Sequence, residues 1–298
     1  MPEASEGKEF QGLIFLDLDG TIEDSRLDMA GSANRVRKQL GLQQKEVESF
    51  FPFVMKGMEY LYRQCFPECF QDPGILGLEP EATEQSSELS ALQSLALLYH
   101  RDYSEHIVQH TRMYPNMPEA LKELHGRYYL GLYTNKPESL SRLLLSALGI
   151  LEYFELLYGG DTLAESKPSA LPINTGIQSL AGILPEAERS RLTKEGQTSM
   201  QGTDRNPDGG SGSLSPATER PATLPELIRK RTVMVGDSGG DLQAARQANV
   251  KSVWASYGYY ADQPDSPADA VASSPSELVH IIPELLQGEG DAMRRAVP

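Results

Sequence analysis

Leu13-Ile14-Phe15-Leu16-Asp17-Leu18-Asp19-Gly20-Thr21-Ile22-Glu23-Asp24 decides how the rest of the chain is read. Its uninterrupted apolar opening predicts a strand buried on both faces, as in a parallel sheet. The run stops at two acids one residue apart. Side chains alternate along a strand, so Asp17 and Asp19 reach the same side at the carboxyl end, where open α/β sheets hold their ligands. Gly20 then lets the backbone turn away. Two carboxylates so close repel each other unless one is neutral or a cation lies between them. Metal-assisted phosphoryl transfer needs that arrangement: a screened Asp17 to attack phosphorus, and Asp19 to exchange protons with the leaving group and then with water. Taken alone, Asp17–Gly20 would also be compatible with a helix cap or a solvated turn, the lesser reading.

The length of 298 residues suits one large domain, or a core with a smaller one attached. A net charge of -15 disfavours nucleic acid and anionic membrane surfaces, so an anionic substrate must be captured by a local cation. Cys65 and Cys69 are the only cysteines and form a lone pair across Pro67, too few for a secreted disulfide framework. With no apolar run of spanning length and an acidic start, Met1-Pro2-Glu3, unlike a signal peptide, the expected location is the cytoplasm.

Residues 1–9 and 289–298 read as disordered tails, and residues 25–113 as a helical block, with apolar residues at three- and four-residue spacing near 25–40, 45–64 and 88–110. Because this block leaves from the carboxyl end of the first strand, it is expected to form a lid over the ligand side of the sheet. A lid over an anion needs inward-facing basic groups, and Lys56 and Arg63 are its candidates for substrate binding. His100, His106 and His110 lie in the block without the third ligand a zinc site needs, and read as a solvated face.

The chain returns to the core at Tyr114. A strand at Tyr128–Tyr133 ends in Thr134-Asn135-Lys136-Pro137, and a hydroxyl and an amide there suit phosphoryl oxygens. After a short strand at Glu155–Tyr158 comes Ser166-Lys167-Pro168, where Lys167 offers a charge to neutralise those oxygens. Residues 185–225 are rich in Gly, Ser, Thr, Pro, Glu and Arg, and read as a flexible low-complexity insertion on the side of the sheet away from the site. The strand Thr232–Val235 ends in Gly236-Asp237-Ser238-Gly239-Gly240-Asp241, adding two acids. Four carboxylates in one place require a hard cation, and all-oxygen ligation favours magnesium. The string Gly236–Gly240 also matches the nucleophile segment of chymotrypsin-like proteases, but alternating strands and helices exclude that two-barrel fold. A strand at Ser252–Ala255, an edge strand at Asp269–Ala272 and a helix from Pro275 complete the core.

Four segments in this order, Asp17-Leu18-Asp19-Gly20-Thr21, Thr134-Asn135, Lys167-Pro168 and Gly236–Asp241, resemble the motifs of the haloacid dehalogenase superfamily. Tyr133–Pro137, Gly159–Leu163 and Ser256–Tyr259 are similar to its phosphoglycolate phosphatase branch. The resemblance implies an α/β fold: a Rossmann-like parallel core at 10–24 and 114–288, with a helical cap at 25–113. It further implies Asp17 as nucleophile and Asp19 as general acid/base, with the backbone carbonyl of Asp19 on magnesium. Thr134, Asn135 and Lys167 would bind the phosphoryl group, Asp237 would be a metal ligand, and Asp241 would hold metal-bound water or Lys167. The expected activity is magnesium-dependent hydrolysis of a small phosphorylated metabolite, 2-phosphoglycolate first, by a monomer or homodimer. A phosphotransferase or sugar-phosphate mutase, and a non-catalytic regulatory protein on the same fold, are the alternatives. Where the branch usually carries a Gly-x-Gly turn in the cap, this chain has Lys56-Gly57-Met58.

Overall fold

The structure, a computed structural model, describes residues 8–54, 56–79, 83–201, 222–260 and 264–287. Of the tails expected at 1–9 and 289–298, residues 1–7 and 289–298 lie outside the described residues, as does the insertion's centre at 202–221, whereas Lys8 pairs with Glu155. The strands are β1 (Leu13–Leu16), β2 (Glu23–Asp24), β3 (Arg112–Met113), β4 (Tyr129–Tyr133), β5 (Leu156–Tyr158), β6 (Thr232–Gly236), β7 (Lys251–Ala255) and β8 (Ala270–Ala272). The cap helices are α1 (Arg26–Gln39), α2 (Phe51–Val54), α3 (Met58–Cys65), α4 (Pro67–Gln71) and α5 (Glu84–Glu105). Those of the core are α6 (Met117–Arg127), α7 (Glu138–Ala147), α8 (Leu171–Ile183), α9 (Glu186–Gln201), α10 (Leu224–Lys230), α11 (Gly239–Ala248) and α12 (Leu278–Gln287).

Six strands form one parallel sheet in the order β5-β4-β1-β6-β7-β8, with β1 at the centre. Every residue of β1 is fully buried, and its side chains alternate between two apolar layers. Ile14 and Leu16 face a layer shared with α6, α7, α12 and the cap, while Leu13 and Phe15 face one shared with α8, α10 and α11. Burying each such side chain stabilises the fold by about 1.5–3 kcal/mol, which pins the register of β1 and hence the position of Asp17. Phe15 fits only because glycines stand opposite it: a Cβ on Gly131 or Gly176 would come within 2.6 or 2.5 Å of its ring.

The cap is α-helical as the spacing predicts, but the expected 45–64 segment is interrupted. A 3₁₀ turn at Val47–Phe50 and α2 end before Gly57, whose φ of 88° breaks the helix before α3 begins. The two ends of the cap are stitched together by the β2–β3 pair, which the sequence reading did not foresee. Beside it the buried Asp28 carboxylate accepts bonds from His110 N, Thr111 N and Thr111 Oγ1.

The insertion differs from expectation at its start, since α9 is a sixteen-residue helix docked on the core. Leu192 is buried, Glu188 accepts from Phe10 N, and Arg191 donates to the Phe10 carbonyl. Arg191 also pairs with Glu188 and Glu195 at i,i+3 and i,i+4 spacing, which supports the helix locally. Contact with Phe10, just before β1, puts α9 at the amino end of the sheet. No described helix is long and apolar enough to cross a membrane.

Candidate active site

The carboxyl ends of β1, β4 and β6 bring most of the chosen residues together. Asp17, Asp237 and Asp241 each offer a carboxylate oxygen, all within 4.8 Å of one another and all buried. The approach needs a glycine at 236, where a Cβ would fall 2.1 Å from the Asp241 carboxyl carbon. Asp241 enters as the third residue of α11, with Oδ2 accepting from Ser238 N and Ser238 Oγ in a capping box. Lys167 reaches into the cluster, its Nζ 2.5 Å from Asp17 Oδ1 and 2.6 Å from Asp241 Oδ1. Lys167 is the charge partner of Asp241 Oδ1, whose other oxygen is taken by Ser238.

One cation does not balance three carboxylates. Burial pushes the Asp17 carboxyl up to about 7, against the pull of Lys167 and with Asp241 adding to the rise. Burial, then the charges of Asp17 and Asp241, raise Asp237 well above the carboxylate range. Lys167 is raised, because the two aspartates outweigh the burial that works against its charge. Three buried carboxylates that share one ammonium, with the proton affinities of Asp17 and Asp237 raised by burial and mutual repulsion, are a donor set that fits a hard divalent cation, with oxygen ligands only.

Asp19 has a different environment two residues on. Its Oδ1 lies 2.7 Å from Lys136 Nζ and accepts from Ser25 Oγ at 2.5 Å. Burial raises its proton affinity, but Lys136 and Ser25 outweigh burial and hold the carboxyl below its usual range. Its carboxylate is not among the clustered metal-capable oxygens. Lys136, itself buried, also donates to Tyr103 Oη at 3.0 Å, so a core cation is seated under a cap tyrosine. Behind them is Glu23, fully buried, with neither carboxylate oxygen hydrogen-bonded by a donor. Burial, reinforced by the charge of Asp19, raises it well above the carboxylate range and favours its neutral form.

Thr134 is buried at the end of β4 and its Oγ1 accepts from Lys136 N, while Asn135 Oδ1 accepts from Lys167 N at 3.1 Å. Both line a cavity of about 60 Å³ with Asp17, Asp19, Lys136 and Lys167. The cap closes it through Met29, Val54, Gly57 and Met58. Lys56 and Arg63, chosen as inward-facing cap cations, do not line it. Lys56 is exposed over the Tyr60 ring, and Arg63 is held on the outer surface by Glu59 and Glu88. Lys136, Ser25 and Glu23 were missed. Glu23 belongs to the opening stretch itself, Ser25 is the residue that follows that stretch, and Lys136 follows Asn135 directly.

Comparison with known proteins agrees with this geometry. The family model described as haloacid dehalogenase-like hydrolase matches residues 13–188. The chain belongs to the haloacid dehalogenase-like hydrolases. Among curated relatives, a phosphoglycolate phosphatase of Chromobacterium violaceum is 29% identical over 90% of this chain and 95% of its own length. One of Nitrosospira multiformis is 32% identical over 54% of this chain and 65% of its own. The crystal structure of a predicted phosphoglycolate phosphatase from Haemophilus somnus superposes with a TM-score of 0.63 at 26% identity, covering 91% of this chain and 97% of that one. This haloacid dehalogenase-like hydrolase is a phosphatase, similar to the phosphoglycolate phosphatases. Its α/β core with an inserted cap is that of its structural neighbours.

Proposed function

We propose that the protein is a magnesium-dependent phosphomonoester hydrolase that works through an aspartyl-phosphate on Asp17, with a small phosphorylated metabolite, 2-phosphoglycolate first, as substrate. The observation that carries this reading is the separation of two neighbouring acids. Asp17 lies with Lys167, Asp237 and Asp241, whereas Asp19 faces Lys136 and Ser25. Acids in different environments take different roles.

The Asp17 carboxylate attacks phosphorus, the ester P–O bond breaks, and the leaving oxygen takes a proton from Asp19. Asp19 then removes a proton from the water that cleaves the aspartyl-phosphate, which returns phosphate and free Asp17. Asp17, Asp237 and the Asp19 carbonyl would hold magnesium, with Asp241 in support, and the bound ion would supply charge to keep Asp17 ionised and to neutralise phosphoryl oxygens. Thr134, Asn135 and Lys167 hold the phosphoryl group. Lys136 is the second cation on the cavity wall, which favours a substrate with another negative group close to its phosphoryl group. Drawing that charge toward the substrate also raises the proton affinity of Asp19, as its acid role requires. The small cavity and the names of the curated relatives support 2-phosphoglycolate in particular.

Phosphate release from 2-phosphoglycolate, sugar phosphates, nucleotides and an aryl phosphate, with magnesium or EDTA, tests this reading. Turnover should require magnesium, favour the small ester with a second anionic group, and fall to background in Asp17→Asn. Transfer to an added alcohol without release of phosphate would replace the hydrolase reading with the phosphotransferase one.

A further inference from the structure

The loop after β7 grips the turn between Asp19 and the cap from two sides. The Tyr257 hydroxyl donates to the Thr21 carbonyl at 3.0 Å, and the Tyr259 hydroxyl accepts from Ser25 N at 3.0 Å. The main-chain N–H of Tyr259 donates to Asp237 Oδ2 at 2.7 Å, so one residue touches both halves of the site. Its ring also lies 4.7 Å from the Arg26 guanidinium, which is 5.3 Å from the Phe51 ring of the cap and bound to Asp24 through Nε and Nη2. Close approach is possible because residues 20 and 258 lack a Cβ: on Gly20 it would fall 2.2 Å from Asp237 Oδ2, and on Gly258 2.3 Å from the Gly20 carbonyl oxygen.

Ser25 stands at the N-cap of α1, yet its side chain makes no capping bond to that helix. Its Oγ serves Asp19 Oδ1 instead, at 2.5 Å. The Ser25 main chain is held on both sides, its carbonyl accepting from Met29 N in the first turn of α1 and its N–H donating to the Tyr259 hydroxyl, which leaves Oγ for Asp19. We propose that Tyr259 is a positioning residue for the general acid: its hydroxyl fixes Ser25, and Ser25 fixes the Asp19 carboxyl against the leaving oxygen. The inference rests on the reading of Asp19 as proton donor.

That role has a signature which a purely structural one lacks. An alkyl phosphate loses a poor leaving group that must be protonated as the P–O bond breaks, whereas a nitrophenyl phosphate loses a stable anion that needs no proton. Tyr259→Phe keeps the ring, the main-chain N–H on Asp237 and the stacking on Arg26. It should lower kcat/KM about tenfold for 2-phosphoglycolate, the size of one ordinary hydrogen bond, and less than about twofold for 4-nitrophenyl phosphate. The magnesium concentration for half-maximal activity should not move. Ser25→Ala should show the same selectivity, and Asp19→Asn a larger form of it. Equal losses on both esters in Tyr259→Phe, or none on either, overturn the positioning role if Asp19→Asn remains selective. If Asp19→Asn is itself unselective, the reading of Asp19 falls and the role of Tyr259 falls with it.

Discussion

Removing Lys167 should expose how much the acidic cluster depends on that one ammonium. In Lys167→Met the stem volume is kept, but Asp17, Asp237 and Asp241 remain within 4.8 Å of one another with no cation in contact. Breaking a buried ion pair by deleting one partner costs about 3–5 kcal/mol, because the survivors stay buried and uncompensated. For a chain of this size the metal-free midpoint should fall by roughly 10 °C. The cost must depend on pH in a definite sense. Asp17 is pushed up to about 7 by burial, with Lys167 opposing the rise. A carboxyl raised in this way gives stability that is present below its unfolded value of 3.8 and is lost as pH climbs through about 7. Without Lys167 the folded value moves higher still and the loss extends further. The variant should therefore lie near the parent at pH 4–5 and far below it at pH 8.

Magnesium supplies the linked test. A ligand at a hundred times its Kd stabilises by about 2.7 kcal/mol, and deleting a competing cation tightens its binding. At one magnesium concentration, the rise in midpoint should thus be larger in Lys167→Met than in the parent. Thermal unfolding followed by circular dichroism at pH 5 and pH 8, in EDTA and in magnesium, gives all four values. A variant that loses as much at pH 5 as at pH 8, or gains less from magnesium than the parent does, would refute this electrostatic account.

Glu23→Gln, which copies the shape of the protonated acid, should be more stable than the parent at neutral pH and equal to it near pH 4. The advantage should grow by about 1.4 kcal/mol per pH unit once the unfolded carboxyl ionises; parallel stability–pH curves would mean that Glu23 is ionised in the fold. Lys56→Ala and Arg63→Ala should each leave KM for 2-phosphoglycolate within about twofold, because neither side chain lines the cavity and surface pairs such as Arg63–Glu59 contribute about 0–1 kcal/mol. Lys136→Met should raise KM for 2-phosphoglycolate far more than KM for 4-nitrophenyl phosphate, which has no carboxylate to bind; steady-state kinetics on the two esters decide it.

What could be read from the sequence follows the range over which each interaction acts. β1, β4 and β6 were legible because buried parallel strands are continuous apolar runs, and Asp17, Thr134 and Asp237 because each run ends on them. Lys167 was legible only through its Lys-Pro neighbour, since its partners lie far away along the chain. Lys136 also stands before a proline, but the order of the motifs assigns the phosphoryl cation to Lys167, and only the packing of α1 and α5 over the end of β4 buries Lys136 against Asp19 and Tyr103. α9 was misread for the opposite reason. Its Glu, Arg, Gly and Thr content suggests disorder, but Glu188, Arg191 and Glu195 stand at helical spacing, and a single buried Leu192 suffices once Phe10 offers partners.

The same distinction explains why the site divides as it does. Asp17 ends a strand and inherits the strand-end neighbours of β1 and β6, so the sheet alone sets its acids and its cation. Asp19 has already left the sheet, and the turn at Gly20 hands it to the pieces that carry the cap: Ser25 at the start of α1, Glu23 on β2, and Lys136 under Tyr103 of α5. Moving the cap would therefore disturb Asp19 and leave the cluster around Asp17, Asp237 and Asp241 largely intact. Under the proposed mechanism, proton transfer would depend on contacts with the cap that the carboxylates of Asp17, Asp237 and Asp241 do not make, so seating of the cap would complete the acid and confine bond cleavage to a closed, water-poor site.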